Sequence, residues 1–370
     1  MSSLPPKHQS RRGLLKYLGL LAGAVTLPPI INTVGTNART AVKPTSGTEL
    51  SSVHSAELSA TVAPSLTASN LNPHRVAVVS TTDRAAGVRQ AIELLQPASF
   101  SNKQVFIKPN YNTGDPAPAA TAPIVLETLV QEIQAAGASK ITVGDRSGMA
   151  QTRRAMEQMQ VFNLSQRYGF DTDVFDELDR ADWQYFAAAG TSWSRGFAIA
   201  KPVLDADAIV NVCCLKTHRF GGHFTLSLKN TIGMVARYVP GDSHDYMREL
   251  HRSANQRLMI AEVNATYRPT LVVIDGVDAF VGGGPEQGQR VQAGVVLAST
   301  DRVAIDAVGI ALLRKLGTTR EVSRGSIWDQ TQIRRAADLG LGAISADPIE
   351  LITADDAGAQ LANEIRPFLS

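Results

Sequence analysis

The sequence predicts an α/β protein in which a largely parallel sheet is flanked by helices in a single main domain. Two observations lead to this prediction. From about residue 75 onward, short runs rich in β-branched residues alternate with amphipathic stretches of helical period, which is the pattern of βαβ units around a parallel sheet. The segment AIVNVCC, residues 208–214, is almost continuously apolar, as expected for a strand that is covered on both faces.

The individual elements follow from the same periodicities. Strands are predicted in RVAVVST, QVFIKPN, KITVGDRSG, DAIVNVCCLK, TLVVIDGVDAF and AGVVLAST, and helices in DRAAGVRQAIELL, residues 123–136, TRRAMEQM and DRVAIDAVGIALLRKLG. Pro123 suits the first turn of its helix and Gly137 ends it. Asp301 is expected to cap the last helix. Residues 161–200 show no clear pattern, and we expect them to cover an edge or mouth of the sheet.

The first forty residues have the layout of an export signal. Ser10 to Lys16, with paired Arg11 and Arg12, precede an apolar run of about fifteen residues, and this arrangement resembles a twin-arginine signal. The resemblance implies the twin-arginine machinery as a partner and a periplasmic or other extracytoplasmic location. An uncleaved segment would instead act as an N-terminal membrane anchor, although the run is shorter than the ~20 residues of a spanning helix.

The remaining chain divides in two. Residues 41–72 are rich in Ser, Thr, Ala and Pro and contain no aromatic residue, which predicts a flexible linker. Residues 73–370 form the predicted α/β domain. The formal charge of +2 and the 19% of charged residues give no reason to expect a nucleic-acid partner.

Only two cysteines are present, at adjacent positions 213 and 214. They provide neither a disulfide framework nor a zinc site of the C-x-x-C type, and a disulfide between neighbouring residues is strained. We expect Cys213 and Cys214 to be core thiols, with a redox role as the alternative.

Polar side chains follow the predicted strands where ligands bind in an open parallel sheet, beyond the carboxyl ends. An ammonium group held out of water requires a counter-charge, so converging lysines would need the carboxylates of Asp145, Asp275 and Asp306 or an anionic ligand. The sequence therefore predicts a basic pocket for an anionic small molecule or cofactor, although lysines paired with aspartates at a rim would give the same pattern. Its candidate ligand-binding residues are Lys108, Asn110, Asp145, Lys229, Asn230 and Asp275, and its candidate catalytic residues are Lys216 and His218.

Each of these side chains is given a role by its chemistry. Lys216 and His218 are expected to handle protons or act as electrophiles. Lys108 and Lys229 are expected to anchor the anion, while Asp145 and Asp275 orient the other groups.

Two neighbouring features invite other interpretations. His218 and His223 form a candidate metal pair that a loop could bring together. No obvious third ligand is near them in the sequence, although His244 and His251 follow in the segment GDSHDYMRELH. The segment GGGPEQG, residues 282–288, resembles a phosphate-binding loop in composition. A strand pattern and not a helix follows it, so we expect a turn between two strands that lies over the site.

The ordered blocks VFIKPN, ITVGDRSG, NVCCLKTH, LSLKNTIGM, VVIDGVDAFVGGGPEQG and ASTDRVAIDAVG resemble the domain of unknown function 362 family over residues 76–317. The resemblance implies that twelve residues occupy the family's motif positions: Lys108, Asn110, Asp145, Lys216, His218, Lys229, Asn230, Asp275, Gly284, Pro285, Asp301 and Asp306. Many members resemble iron–sulfur proteins with a cysteine cluster. This sequence departs from them because two adjacent cysteines cannot build such a cluster alone, so any redox role would need a partner protein or another cofactor.

Three functions are consistent with these observations. The first is an exported enzyme, with a redox-related or acid/base reaction, that acts on an anionic small molecule. The second is a non-catalytic periplasmic binding protein or sensor for an anionic ligand or a metal. The third is a metal-dependent enzyme that uses His218 and His223 together with carboxylates.

Overall fold

The computed structural model of the protein describes residues 74–221 and 223–370. The predicted export signal at 1–40 and the predicted linker at 41–72 lie outside the described residues. No helix in the described ranges is long and apolar enough to cross a membrane.

Eleven strands are present in the part of the chain that the structure describes. They are β1 (His74–Ser80), β2 (Gln104–Lys108), β3 (Lys140–Asp145), β4 (Asp171–Val174), β5 (Trp183–Phe186), β6 (Phe197–Ala200), β7 (Ala208–His218), β8 (His223–Thr225), β9 (Leu271–Gly283), β10 (Gly288–Ser299) and β11 (Ile349–Ile352).

Twelve α-helices accompany them over the same described ranges. They are α1 (Arg84–Leu95), α2 (Pro123–Ala135), α3 (Thr152–Gln158), α4 (Val161–Tyr168), α5 (Lys201–Leu204), α6 (Ser227–Asn230), α7 (Tyr246–Arg252), α8 (Gln256–Val263), α9 (Arg302–Lys315), α10 (Arg320–Ser323), α11 (Thr331–Asp338) and α12 (Asp356–Ile365).

Nine of the strands form one mixed and mostly parallel sheet in the order β11-β1-β10-β9-β7-β2-β3-β4, with β8 paired to β7. The pairs β11/β1, β9/β7, β7/β2, β2/β3 and β3/β4 are parallel. The pairs β1/β10, β10/β9 and β7/β8 are antiparallel. The predicted α/β class with a largely parallel sheet is therefore confirmed, as is the turn predicted between β9 and β10.

The chain reverses its direction across the sheet at β2. It proceeds from β2 to β3 and β4 on one side, and then returns to place β7 on the other side of β2. The carboxyl ends of β2 and β7 thus lie side by side at a topological switch point, where open α/β sheets have a crevice.

Helices cover both faces of the sheet. Val105 and Ile107 of β2 pack with apolar residues of α1 and α2 on one face, while Cys213 and Leu215 of β7 pack with α9 on the other. All eleven residues of β7 are buried, as the apolar run predicted. The predicted core location of both cysteines is confirmed, because Cys213 and Cys214 are free and buried.

The segment whose pattern the sequence left unclear contains a second, two-stranded antiparallel sheet of β5 and β6. Its Trp183 and Trp193 pack in one cluster with Phe106 of β2 and Ile209 of β7. This segment therefore covers one face of the main sheet beside the switch point, close to the covering role that we expected.

Asp301 caps α9 as predicted, since its Oδ1 accepts bonds from the amides of Val303 at 2.8 Å and Ala304 at 2.9 Å. Its Oδ2 accepts a further bond from the Ala343 amide at 2.8 Å. We expect Asp301→Ala to lower the free energy of unfolding by about 2–3 kcal/mol, because it leaves buried amides without acceptors. Asp83→Ala, at the exposed cap of α1, should lower it by about 1 kcal/mol. Urea denaturation of both variants measures the difference, and equal losses would contradict the expectation.

Candidate functional site

A polar cavity of about 80 Å³ lies at the carboxyl ends of β2, β3 and β7, and we call it the lysine cavity. Since a cavity needs about 10–15 Å³ to hold one water molecule, this one has room for several waters or for a small organic anion. Its lining residues are Lys108, Asn110, Asn112, Asp145, Arg146, Gly148, Met149, Lys216, His218, Phe220, Thr225, Lys229, Asn230, Ile232, Gly233, Met247, His251 and Pro285.

Seven of the predicted ligand-binding and catalytic residues meet in this cavity. They are Lys108, Asn110, Asp145, Lys216, His218, Lys229 and Asn230. Four separate stretches of chain supply them, and these stretches converge because β2, β3 and β7 are parallel neighbours with α6 beside their ends.

Helix α6 is held in place by a carboxylate from α9. Asp306 accepts bonds from the Ser227 amide at 2.8 Å, the Ser227 hydroxyl at 2.6 Å and the Leu228 amide at 3.0 Å. The sequence suggested Asp306 as a counter-charge for the lysines. The structure uses it instead to fix the start of the helix that carries Lys229 and Asn230, and burial raises the pKa of Asp306 to about 7.

Two asparagines connect the lysines across the site. Asn110 Oδ1 accepts a bond from Lys216 Nζ at 2.7 Å, and Asn110 Nδ2 donates to Asn230 Oδ1 at 3.1 Å. Asn230 Oδ1 also accepts from Lys108 Nζ at 3.3 Å. This arrangement fixes the orientation of both amides, because each oxygen faces a cation.

All three N–H groups of the Lys108 ammonium have acceptors within the protein. Its Nζ donates to Pro109 O at 2.6 Å, contacts Asp145 Oδ1 at 2.7 Å and donates to Asn230, which accounts for the three N–H groups of an ammonium. Asp145 also accepts bonds from the Tyr111 and Arg146 amides, at 2.6 and 2.7 Å. Burial lowers the pKa of Lys108 and raises that of Asp145, while their contact opposes both shifts.

Gly233 makes this buried pair possible. A Cβ atom at position 233 would lie 2.3 Å from Asp145 Oδ1 and 2.6 Å from Lys108 Nζ. Both distances are far inside van der Waals contact. Only a residue without a side chain therefore allows the backbone to approach the pair so closely.

Two of the three N–H groups of the Lys216 ammonium have acceptors within the protein. Its Nζ donates to Asn110 Oδ1 at 2.7 Å and to Ala119 O, so one N–H of the ammonium is left for another acceptor. Burial is the largest effect on its pKa and lowers it.

Lys229 is the lysine that the protein leaves available. Within the described residues no carboxylate lies within ion-pair distance of its Nζ, and no hydrogen bond contributes to its pKa. Burial, together with the positive charges of Lys216 and Arg146, lowers that pKa to about 7. A side chain that is 8% exposed is thus directed at the cavity with its donors unused.

Two histidines place neutral imidazoles beside Lys229. Burial and the charges of Lys229 and Lys216 lower the pKa of His218 well below its usual value, and its Nδ1 has no partner among the described residues. His251 Nδ1 lies 2.7 Å from Met247 O. A carbonyl can only accept, so Nδ1 carries the proton and Nε2 retains the lone pair.

Arg146 and His251 line the cavity but are not among the candidate ligand-binding or catalytic residues that the sequence predicted. The guanidinium of Arg146 is buried and donates to Val235 O at 2.7 Å, Ser147 O at 2.8 Å and Ile232 O at 3.0 Å, so it acts as a fixed positive charge. Its position directly after Asp145 at a strand end was a usable signal. The sequence around His251 contains no comparable signal, because α7 reaches the cavity only through tertiary packing.

The mouth of the cavity is formed by apolar side chains and by the β9–β10 turn. Met149 and Phe220 are 48% and 45% exposed, and Pro285 of the turn also lines the cavity. Arg219 fixes the turn against the end of β7, since its Nη1 donates to Gly284 O at 2.7 Å and to Glu286 Oε2 at 2.9 Å. The turn expected to lie over the site thus contributes to its wall.

Two predicted site residues lie outside the lysine cavity. Asp275 receives a bond from Arg84 Nε at 2.7 Å and belongs to an ion-pair network with Asp278. His223 lines a separate open pocket beside Arg257, although it pairs with His218 across β7 and β8. Within residues 74–221 and 223–370, no group of three or more His, Cys, Asp or Glu side chains is placed to hold a metal ion.

Comparison with known families identifies the domain. The model of the domain of unknown function family DUF362 matches residues 105–311, which is more than half of the chain. The chain belongs to this family. The match spans β2 to most of α9, so every strand end that lines the lysine cavity lies inside the DUF362 region.

Two individual proteins resemble this DUF362 chain. A thylakoid-associated protein of Synechocystis sp. is 27% identical over 220 residues, which cover 55% of this chain and 61% of that protein. The lactate racemase apoprotein of Thermoanaerobacterium thermosaccharolyticum shows a structural likeness with a TM-score of 0.38 and 15% identity, over 62% of this chain and 55% of that chain. A likeness at this score carries no argument about function.

Lys108 is bound by Asp145 and other groups of the protein, whereas Lys229 has no partner among the described residues. Replacing the two lysines should therefore affect stability differently. Lys108→Met should lower the free energy of unfolding by about 3–5 kcal/mol, because it leaves the buried Asp145 without its cation. Lys229→Met should change it by less than about 1 kcal/mol or raise it, because no bond within the protein is lost. Urea denaturation at neutral pH measures both. A comparable loss in the two variants would show that Lys229 is also bound by the protein.

The lowered pKa of Lys229 predicts a pH dependence. Between pH 7 and the ordinary lysine value of 10.5, the unfolded chain binds the proton and the folded protein does not, so stability rises with pH. From pH 7 to 9 the unfolding free energy of the wild type should therefore rise by about 2–3 kcal/mol relative to Lys229→Met. Parallel urea titrations without added ligand measure this difference, and a constant difference would contradict the assignment.

Proposed function

We propose that this DUF362 protein is an enzyme that binds a small anionic substrate in the lysine cavity and transfers protons on it. The observation that carries the proposal is that the ammonium donors of Lys229, a buried side chain that lines the lysine cavity, have no acceptor among the described residues. Proteins normally pair or neutralise a buried cation. A carboxylate or phosphate of a substrate would supply the missing negative charge.

Anchoring falls to Lys216 and Lys229 in this proposal. Lys216 has one N–H to donate beyond those bound by Asn110 and Ala119, and Lys229 retains all of its own. Lys108, expected from the sequence to anchor the anion, has no donor left. It instead holds Asp145 and Asn230 in position, and the fixed charge of Arg146 adds to the positive field of the cavity.

The two histidines carry the proton-transfer part of the proposal. A general base requires an unprotonated nitrogen near neutral pH. Burial and nearby cations keep the pKa values of His218 and His251 below their usual value. His251 Nε2 is therefore a nitrogen that could accept or return a proton, and the imidazole of His218, which also lines the cavity, is the second candidate.

A cofactor of the iron–sulfur type does not fit the cysteines of this chain. Such a cluster requires thiolate ligands, commonly four, whereas burial raises the pKa of Cys214 to about 12 and that of Cys213 well above its usual value. The two thiols therefore cannot ligate such a cluster by themselves. Export by a twin-arginine system, a periplasmic location and a redox partner stay predictions from the sequence.

Ligand binding and hydrogen exchange test the function in two stages. We expect isothermal titration calorimetry with inorganic phosphate and small carboxylates, including lactate and pyruvate, to detect binding. Lys216→Met and Lys229→Met should each weaken it about ten- to hundredfold, since each removes one charge-assisted bond. Lys140→Met is the matched control, because Lys140 lies at the other end of β3 and pairs with Asp171 on the surface.

Deuterium incorporation into a bound carboxylate then separates an enzyme from a binding protein. In heavy water, the wild type should exchange the C–H hydrogens beside the functional group, as followed by proton NMR. His251→Asn, which can still donate to Met247 O, should abolish exchange and leave binding intact. Binding without exchange for any bound carboxylate would favour a non-catalytic binding protein.

A further inference from the structure

We propose that Lys229 is a nucleophile that forms a covalent imine with the carbonyl group of a small oxo acid held in the lysine cavity. This inference rests on the proposed function, because it requires the cavity to bind the carboxylate of the substrate. It adds the substrate class and a covalent step. Of the two anchoring lysines, Lys216 would hold the carboxylate in this step, and Lys229 would attract the anion as the ammonium and react with the carbonyl carbon as the amine.

Lys216 and Lys229 differ in their hydrogen bonds, as a carboxylate-binding lysine and a nucleophilic lysine should. Lys216 is oriented by Asn110 and Ala119, so it is a fixed donor with one N–H directed elsewhere. Lys229 makes no such bond within the described residues and lies on α6, which Asp306 holds rigidly in place. A nucleophilic amine must be free of strong acceptors, because acceptors stabilise the protonated ammonium form. An ammonium has no lone pair with which to attack a carbonyl carbon.

The surroundings of Lys229 favour the amine form. The charges that act on it are the cations Lys216 and Arg146, and burial removes the water that would stabilise an ammonium. This combination of desolvation and neighbouring cations is a recognised way of activating a lysine for imine formation. Lys108 lacks it, because the carboxylate of Asp145 lies 2.7 Å from its Nζ.

The step balances with groups that are present in the cavity. The amine lone pair of Lys229 attacks the carbonyl carbon, which forms a C–N bond and places the carbonyl electron pair on oxygen. One N–H proton passes from the nitrogen to the oxygen. A neutral imidazole then takes the second N–H proton and, as the imidazolium, delivers it to the hydroxyl, which leaves as water while the freed electron pair on nitrogen forms the C=N bond. His251 Nε2 and the imidazole of His218 are the candidate carriers of these protons. No oxidant or reductant is required.

The size and lining of the cavity restrict the substrate. About 80 Å³ accommodates only a few non-hydrogen atoms beside the lysines, and the exposed Met149 and Phe220 at the mouth suit a short apolar substituent. A two- to four-carbon oxo acid such as glyoxylate or pyruvate meets both conditions. An iminium formed there would withdraw electrons from the neighbouring C–H or C–C bond, which fits the proton transfer proposed above.

Reductive trapping tests the covalent step on the full chain. The protein is incubated with pyruvate or glyoxylate and treated with sodium borohydride, which reduces an imine to a stable secondary amine. We expect one adduct per chain by intact mass spectrometry, with peptide mapping placing it on Lys229. Lys229→Met should lose the adduct, whereas Lys140→Met should retain it. Lactate, which has a hydroxyl group where pyruvate has its ketone, should give none.

Calorimetry on the same samples distinguishes failure of this inference from failure of the proposed function. Pyruvate that binds and leaves no adduct on Lys229 would overturn the imine and leave the anion-binding site intact. Absence of both binding and adduct would overturn both proposals. Equal labelling of wild type and Lys229→Met would show reaction at surface lysines and would also overturn the assignment. Lys229→Arg provides a second variant that keeps the positive charge, and it should bind pyruvate without forming the adduct.

Discussion

The burial of three lysines around one cavity, beside a single lining carboxylate, is the constraint on which the rest of the site depends. A buried ammonium is stable only with acceptors close by or with its proton removed. The protein satisfies the first condition at Lys108 with Asp145 and a carbonyl. It satisfies the condition partly at Lys216 with an amide and a carbonyl. At Lys229 the described residues provide no acceptor, and burial shifts the group toward the amine.

The fold keeps this arrangement in place with groups that do not line the cavity. The switch point brings the ends of β2 and β7 together, and Asp306 fixes the first turn of α6 beside them. Gly233 allows the backbone to approach the buried ion pair without a clash. Each of these supports is remote in sequence from the lysines that it positions, so the geometry of the cavity is a property of the whole domain.

The hydrogen bonds of the site divide its residues into a structural part and a functional part. Lys108, Asp145, Asn110 and Asn230 form a network in which every lysine donor has an acceptor, and such a network adds rigidity. The functional part consists of Lys229, His218 Nδ1 and His251 Nε2. These groups have hydrogen-bond donors or acceptors that no described residue binds. Buried polar groups without hydrogen-bond partners lower the stability of the fold. Groups that are kept in a protein despite this cost are typically ones that serve a ligand or a reaction.

The sequence by itself determined the α/β class, most of the strands and helices of the core, the cap at Asp301 and the strand ends that carry Lys108, Asp145 and Lys216. These features were predictable because hydrophobic periodicity, caps and strand ends are local properties. Only the tertiary structure decided which lysine is satisfied and which is free, that Asp275 is bound by Arg84, that His223 lies in another pocket and that His251 joins the site. These outcomes depend on contacts between residues far apart in the chain, and no local pattern encodes which of several aspartates meets which cation.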